Sequence, residues 1–205
     1  MILPGATLGV LGGGQLGRMF TMRAQTMGYR VVVLDPAAPS PAGSVADHHL
    51  QAAYDDPAAL DEMGRLCAAV TTEFENVPAQ SLARLAQSCV VTPPGTAVSI
   101  AQDRITEKEF LRDAGFATAP FRPVRTIQEA ETAAAQLAGP ALLKTSRLGY
   151  DGKGQAAVNG PVEAREAFER FGQVPCVLEQ RLELELELSV VLARGRSGAL
   201  VSFPP

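Results

Sequence analysis

The sequence predicts an α/β fold: a doubly wound parallel sheet at the amino end, followed by a second, smaller α/β region. Three observations carry this. Short apolar runs alternate with amphipathic stretches over the first third of the chain; a glycine-rich turn joins the first run to the first amphipathic stretch; and the alternation starts afresh after Pro93, Pro94 and Gly95.

In order, residues 7–11 read as a buried strand, 12–17 as the glycine-rich turn, 15–28 as a helix ended by Gly28, and 30–34 as a second strand. Asp35 closes that strand, and 36–43 form a proline-rich loop. Residues 57–67 read as a helix, 68–72 as a strand, 78–87 as a helix and 89–92 as a short strand. Past the Pro-Pro-Gly break, 100–114 read as one helix stopped by Gly115, and 118–123 as a linker. Thr126 and Glu129 have capping-box spacing, so a helix runs to Leu137 and ends at Gly139 and Pro140. Residues 141–145 form a strand carrying Lys144, 146–154 a loop, 155–158 a strand, 161–171 a helix with proline in its first turn, and 174–179 a strand. Leucine-like and polar residues alternate over 182–192, the pattern of a half-buried strand. A turn at 196–198 leads to a last strand, 199–203. Ending at Pro204 and Pro205 with nothing after it, that strand looks like a truncation.

Composition narrows the function. With 46% hydrophobic residues, 205 residues suffice for one large domain or two small ones. A net charge of −4 offers nucleic acid no basic face, and no apolar run reaches the roughly 18 residues of a membrane span. Residues 1–5 lack the features of a signal peptide. Neither a nucleic-acid nor a membrane partner is expected. Cys67, Cys89 and Cys176 match no zinc spacing, and their odd number argues against a disulfide framework, so a reducing, cytoplasmic setting is the simplest reading and core positions are expected. His48 and His49 have no ligand partners at metal spacing and are expected at the surface. No metal ligands are assigned.

Three segments carry chemistry. Gly12, Gly14 and Gly17 fit G-x-G-x-x-G between a strand and a helix, where glycines let backbone approach a phosphate and the helix terminus favours its charge. Asp35 sits where a dinucleotide site places its ribose-binding acid, so a nicotinamide enzyme is open at this point, as is plain tight packing. Glu73, Glu75 and Asn76 follow the carboxyl end of a strand: Glu73 is placed to bind sugar hydroxyls, and Asn76 to cap the helix from Pro78. Lys144 lies within an apolar strand, which calls for an anionic partner. The loop after it has three glycines in six residues and two cations, Arg147 and Lys153, and can fold over a polyphosphate. It is not a P-loop. Glu183, Glu185 and Glu187 alternate with leucines, and spacing does not separate them.

Gly-Gly-Gly-Gln-Leu-Gly-Arg-Met (12–19), Glu-Phe-Glu-Asn-Val-Pro (73–78), Gln-Asp-Arg-Ile-Thr-Glu-Lys (102–108), Gly-Tyr-Asp-Gly-Lys-Gly-Gln (149–155), and Leu-Glu-Gln (178–180) with Glu-Leu-Ser (187–189) occur in that order. Each is weak alone, but the ordered set resembles the N5-carboxyaminoimidazole ribonucleotide synthetase family of ATP-grasp ligases, over essentially the whole chain. The resemblance implies a pre-ATP-grasp domain over 1–99, a helix and linker over 100–122, an α+β ATP-grasp lid subdomain over 123–180 and the start of a C-terminal ATP-grasp subdomain over 181–205. It implies ATP- and bicarbonate-dependent carboxylation of 5-aminoimidazole ribonucleotide. ATP would be held by Arg104, Lys144, Gly149, Tyr150, Asp151, Gly152, Lys153, Gly154, Gln155, Glu179, Gln180, Arg181, Leu182 and Glu187, which favours Glu187 over its neighbours. Gly14, Gln15, Leu16 and Glu73 would hold the ribonucleotide. Tyr150, Asp151 and Lys153 would serve catalysis, the first two near the imidazole amine and bicarbonate. Magnesium ligands are expected beyond residue 205, so the chain alone is not expected to turn over. Glycinamide ribonucleotide transformylase and biotin carboxylase share the lysine strand and glycine loop; the 73–78 segment beside the first glycine loop separates them. A nicotinamide oxidoreductase and a non-catalytic nucleotide-binding remnant stay open as well. The sequence is silent on oligomeric state and leaves a homodimer open.

Overall fold

The apolar runs of the first half pair into a parallel sheet, and those of the second half into an antiparallel one. The computed structural model describes residues 1–137, 139–149, 153–195 and 197–204. β1 (Thr7–Leu11), β2 (Arg30–Leu34), β3 (His48–Leu50), β4 (Ala69–Thr72) and β5 (Val90–Val91) lie in the order β3-β2-β1-β4-β5, all parallel. Val10, Leu11 and the run from Val31 to Leu34 are buried, as a sheet covered on both faces requires. On one face α1 (Gln15–Thr26) buries Ala24 beside Val10, Val31 and Val33. On the other, α2 (Pro57–Leu66) and α3 (Ala79–Leu85) bring Leu60, Met63, Leu82 and Leu85 onto Leu11, Val32, Leu34 and Val70. α2 starts where it does because Asp56 accepts the Ala59 N–H at 2.8 Å and Pro57 fits the first turn. Strand order reverses between β1 and β4, so the glycine turn after β1 and the acidic loop after β4 meet at the switch point.

Four strands make the second sheet: β6 (Phe121–Val124), β7 (Ala141–Thr145), β8 (Gln155–Val158) and β9 (Cys176–Gln180), in the order β6-β9-β7-β8. Its pairs are antiparallel. α6 (Ile127–Gln136) and α7 (Pro161–Arg170) cover one face, where Ala130, Ala133, Ala164, Ala167 and Phe168 pack with Leu143 and Leu178. The helix is capped from the expected pair: Thr126 Oγ1 accepts the Glu129 N–H at 3.1 Å, while the Glu129 carboxylate reaches one residue past the box position to the Arg125 N–H at 2.5 Å.

Three expectations are corrected. The single helix over 100–114 is two, α4 (Gly95–Ala101) and α5 (Arg104–Asp113), because Asp103 leaves helical geometry to cap α5, accepting the Ile105 and Thr106 N–H groups. The linker over 118–123 contains most of β6, which pairs with β9. The half-buried strand over 182–192 does not form: residues 182–191 are exposed and take no place in a sheet, since alternation gives a strand only where a neighbour supplies hydrogen bonds. Only β10 (Leu192–Arg194) pairs, with β11 (Leu200–Ser202), as an exposed hairpin. The turn expected at 196–198 includes Arg196, which lies outside the described residues, as does Pro205. β3 went unforeseen because three residues, two of them histidine, give no periodicity.

Cys67 and Cys176 are buried and Cys89 half-buried, and burial pushes the Cys67 thiol up to about 12 and the Cys176 thiol to about 11. Those two thiols are inert packing groups. His48 is exposed; His49 is half-buried, its Nε2 3.1 Å from the Asp35 carbonyl, so the surface expectation holds only for the first. Among the described residues no helix is long and apolar enough to cross a membrane.

Asp103 joins the two halves of the fold, since it also accepts the Ser146 hydroxyl at 2.6 Å. Burial opposes its ionisation, but the Ser146 hydrogen bond, the Thr106 and Ile105 amides and the Arg147 charge together hold its carboxyl below the ordinary 3.8. A folded pKa below the unfolded one gives stability that is full above about pH 4 and is lost as pH falls through the folded value. Asp103→Ala should therefore cost about 1–2 kcal/mol in urea denaturation at pH 7. The deficit should shrink progressively below about pH 4; a pH-independent deficit contradicts this role.

Candidate functional site

Register places the key side chains of the second sheet. Leu142 is opposite Glu179 and Lys144 opposite Val177, so these four share the face away from α6 and α7. Val177 packs there with Ile105 of α5 and Phe121 of β6, which fixes α5 on this face. Arg104 and Lys108 stand one turn apart on α5. Lys108 reaches Glu179 Oε2 at 3.2 Å and Lys144 reaches the same oxygen at 3.1 Å. The carboxylate is buried, at 7% exposure, so two ammonium groups converge on one desolvated acid and leave a local excess of one positive charge. Phe121 supports Lys108 from its ring face, 5.5 Å from the ammonium. Lys144 and Glu179 line an open cleft of about 1030 Å³, together with Leu142, Gln180, Arg181 and Leu182. The anion that Lys144 required is thus supplied first by Glu179.

The glycine loop follows β7 directly after Thr145. Arg104 donates to the Thr145 carbonyl at 2.9 Å and to the Gly149 carbonyl at 2.5 Å, bracing the loop at both ends of 145–149. A Cβ on Gly149 would lie 2.8 Å from that guanidinium, and one on Gly154, at φ +69, would lie 2.5 Å from Thr145 Oγ1. Gly154 is demanded by its conformation and by close approach, whereas a side chain at Gly149 would displace the Arg104 brace. Lys153 and Gln155 are exposed. Tyr150, Asp151 and Gly152 lie outside the described residues, so their expected roles rest on the resemblance. Arg147 is not among the residues lining the cleft; it donates to Gln102 Oε1 at 3.0 Å. Glu187 is exposed and is not among the residues lining the cleft, whereas Glu183 is.

At the switch point of the first sheet, Glu73 takes the Gly14 N–H at 2.6 Å and the Leu16 N–H at 3.2 Å. Gly14, Gln15, Leu16 and Glu73 are therefore brought together, with Gln15 and Leu16 exposed, beside a hollow of about 450 Å³ lined by Val10, Phe20, Val70 and Thr92. Asp35 accepts the Gly13 N–H at 2.7 Å, the Tyr54 hydroxyl at 2.6 Å and the Ala37 N–H at 2.8 Å. The amides that a dinucleotide pyrophosphate would need already donate to carboxylates, and both Asp35 oxygens are engaged. The nicotinamide reading loses its basis here. A Cβ on Gly17 would lie 2.5 Å from the Gly12 carbonyl, so this glycine serves packing. Asn76 is no helix cap: it donates to Glu75 at 3.2 Å, and Pro78 holds the cap position of α3, with no side-chain cap bond.

Two residues of the site escaped sequence reasoning. Lys108 was legible only as the residue four places after Arg104 on one helix face, and Gln102 had no signal beyond its motif. Among the described residues no group of three His, Cys, Asp or Glu side chains is placed to hold a metal.

Removing the shared acid tests the cation pair. Glu179→Gln leaves two lysines facing each other and should cost about 2–3 kcal/mol in denaturant unfolding. Inorganic pyrophosphate should then raise the melting temperature of the variant more than that of the parent; an equal rise contradicts the pairing.

Comparison with known proteins agrees with this layout. The family model of the ribonucleotide synthetase pre-ATP-grasp domain matches residues 5–102, and that of the ATP-grasp domain matches residues 109–205. The N5-carboxyaminoimidazole ribonucleotide synthase of Brucella melitensis is 45% identical over 202 residues, covering 98% of this chain and 56% of its own length. N5-carboxyaminoimidazole synthetase from Staphylococcus aureus complexed with ADP superposes with a TM-score of 0.94 at 40% identity, over 99% of this chain and 54% of its own. N5-carboxyaminoimidazole synthase from Aspergillus clavatus, in complex with ADP and 5-aminoimidazole ribonucleotide, superposes with a TM-score of 0.85 at 30% identity, over 97% and 52%. The chain spans about half the length of the relatives it matches. It belongs to the ATP-grasp superfamily, and corresponds to the N-terminal portion of N5-carboxyaminoimidazole ribonucleotide synthetases.

Proposed function

We propose that the protein to which this chain belongs uses ATP and bicarbonate to carboxylate the exocyclic amine of 5-aminoimidazole ribonucleotide. The observation that carries the reading is the pair of lysines converging on Glu179, which with Lys144 lines a large cleft, and the glycine loop that Arg104 braces after the lysine strand. Phosphoryl transfer asks a protein mainly for positioning and for neutralisation of charge. Lys108 and Lys144 supply that charge to the polyphosphate. The loop from Gly149 to Gln155 closes over it, and Gln180, Arg181 and Leu182 border the nucleoside, with Glu187 on the segment beyond. Arg104 acts on the same ligand through the loop that it holds.

The ribonucleotide occupies the switch point of the first sheet, against Gly14, Gln15, Leu16 and Glu73. Bicarbonate attacks the γ-phosphorus, giving carboxyphosphate and ADP; the amine then attacks the carboxyl carbon and phosphate leaves. Tyr150 and Asp151 are assigned to the neighbourhood of that amine, and Lys153 to the developing phosphate charge. A closed loop keeps water from the carboxyphosphate. Magnesium would share in neutralising the phosphates. The described residues offer it no cluster of ligands, and no step here runs through it. The relatives solved with ADP, and with ADP and 5-aminoimidazole ribonucleotide together, support both ligands.

A chimera of this chain with the remaining C-terminal portion of the Brucella melitensis relative tests the reading. ADP release should require bicarbonate and rise at least tenfold on adding 5-aminoimidazole ribonucleotide, a gain of about 1.4 kcal/mol or more in barrier terms. Stimulation by formate with glycinamide ribonucleotide instead would move the chain to another ATP-grasp reaction.

A further inference from the structure

Gln102 belongs to neither proposed half-site, yet it touches the backbone of one and the loop of the other. Its side chain is buried, at 7% exposure. Nε2 donates to the Glu75 carbonyl at 2.6 Å and to the Val77 carbonyl, while Oε1 accepts from Arg147 at 3.0 Å. Two carbonyl acceptors on one side and a guanidinium donor on the other fix the orientation of the amide. Glu75 and Val77 follow Glu73, in the loop assigned to the ribonucleotide. Arg147 sits at the root of the loop assigned to the polyphosphate. The residues after Gln102 tighten the same joint: the Arg104 N–H donates to the Ser146 carbonyl at 2.8 Å, and Ser146 donates to Asp103 at 2.6 Å. Leu148, at φ 60, is held in a conformation that a leucine adopts only when its surroundings impose it. Residues of both loops, Glu75, Asn76, Leu148 and Gly149, line a shared crevice of about 300 Å³ together with Gln102 and Arg104.

We propose that Gln102 is a positioning residue that couples the two half-sites, so that filling one sets the geometry of the other. The inference rests on the function proposed above. Its physical basis is that the amide cannot keep all three partners if either loop moves alone. A shift of 75–77 must drag Gln102, and through Arg147 the start of the glycine loop, or break a buried hydrogen bond. Coupling of this kind is reciprocal. It orders the chemistry usefully, since a reactive acyl phosphate formed before the amine is in place would be lost to water.

Hydrogen exchange on the chimera described above, with ADP or 5-aminoimidazole ribonucleotide added singly, tests it. In the parent, each ligand should slow exchange in its own loop and also in the other, at 73–77 and 145–149. In Gln102→Met and in Arg147→Met, each ligand should still protect its own loop, while protection of the other falls at least threefold. A merely structural role would raise exchange generally and leave the cross-effect in proportion. The Arg147 side chain is 56% exposed, so its variant keeps the core and decides the matter if Gln102→Met loosens both sheets. Cross-protection that is absent from the parent, or undiminished in the variants, overturns the coupling. If neither ligand protects its own loop in the parent, the function proposed above fails, and this inference with it.

Discussion

The structure turns on a single buried carboxylate that serves two lysines from different elements. Glu179 comes from β9, Lys144 from the neighbouring β7 and Lys108 from α5, so the helix joining the two sheets is held to the second by charge as well as by the Ile105, Phe121 and Val177 contact. Taking a carboxylate out of water is unfavourable unless its partners are close and well aimed. Here two are, and one of them, Lys144, lines the cleft beside the acid. An anion arriving there meets cations already in position, so little side-chain ordering is left for the binding step.

A second set of carboxylates does the opposite work. Asp35 after β2 and Glu73 from across the switch point cap the glycine turn and the start of α1, filling amide positions that elsewhere accept a phosphate. The same G-x-G-x-x-G spacing therefore describes two different sites. What separates them is the acid after β4, placed by the β1–β4 pairing, which brings Leu11 opposite Thr72 one residue before Glu73. Tyr54 completes this arrangement: its hydroxyl meets Asp35 and its ring meets Phe74 edge to face at 5.6 Å.

Local chemistry made much of this legible in the sequence. The βαβ unit, the helix cap at Thr126 and Glu129, and the lysine strand each depend on a few adjacent residues, and each is found in place. Readings that needed a partner from elsewhere fared worse. The alternation over 182–192 describes a strand only where a neighbour pairs with it, and β6 looked like a linker until β9 lay beside it. Asp103 broke a helix through its cap to α5, which also meets Ser146. In the site, Lys108 and Gln102 were hidden because their partners, Glu179 and Arg147, lie 71 and 45 positions away along the chain. Distances of that kind are set by topology, not by pattern.

Binding isotherms of ADP and adenosine to the chain, at low and high ionic strength, probe the preformed cation pair most directly. Lys108 and Lys144 held on Glu179 require ADP to bind at least tenfold tighter than adenosine, with the margin narrowing as salt rises from about 0.05 to about 0.5 M. Equal affinities, or a margin indifferent to salt, would contradict a site built around that charge.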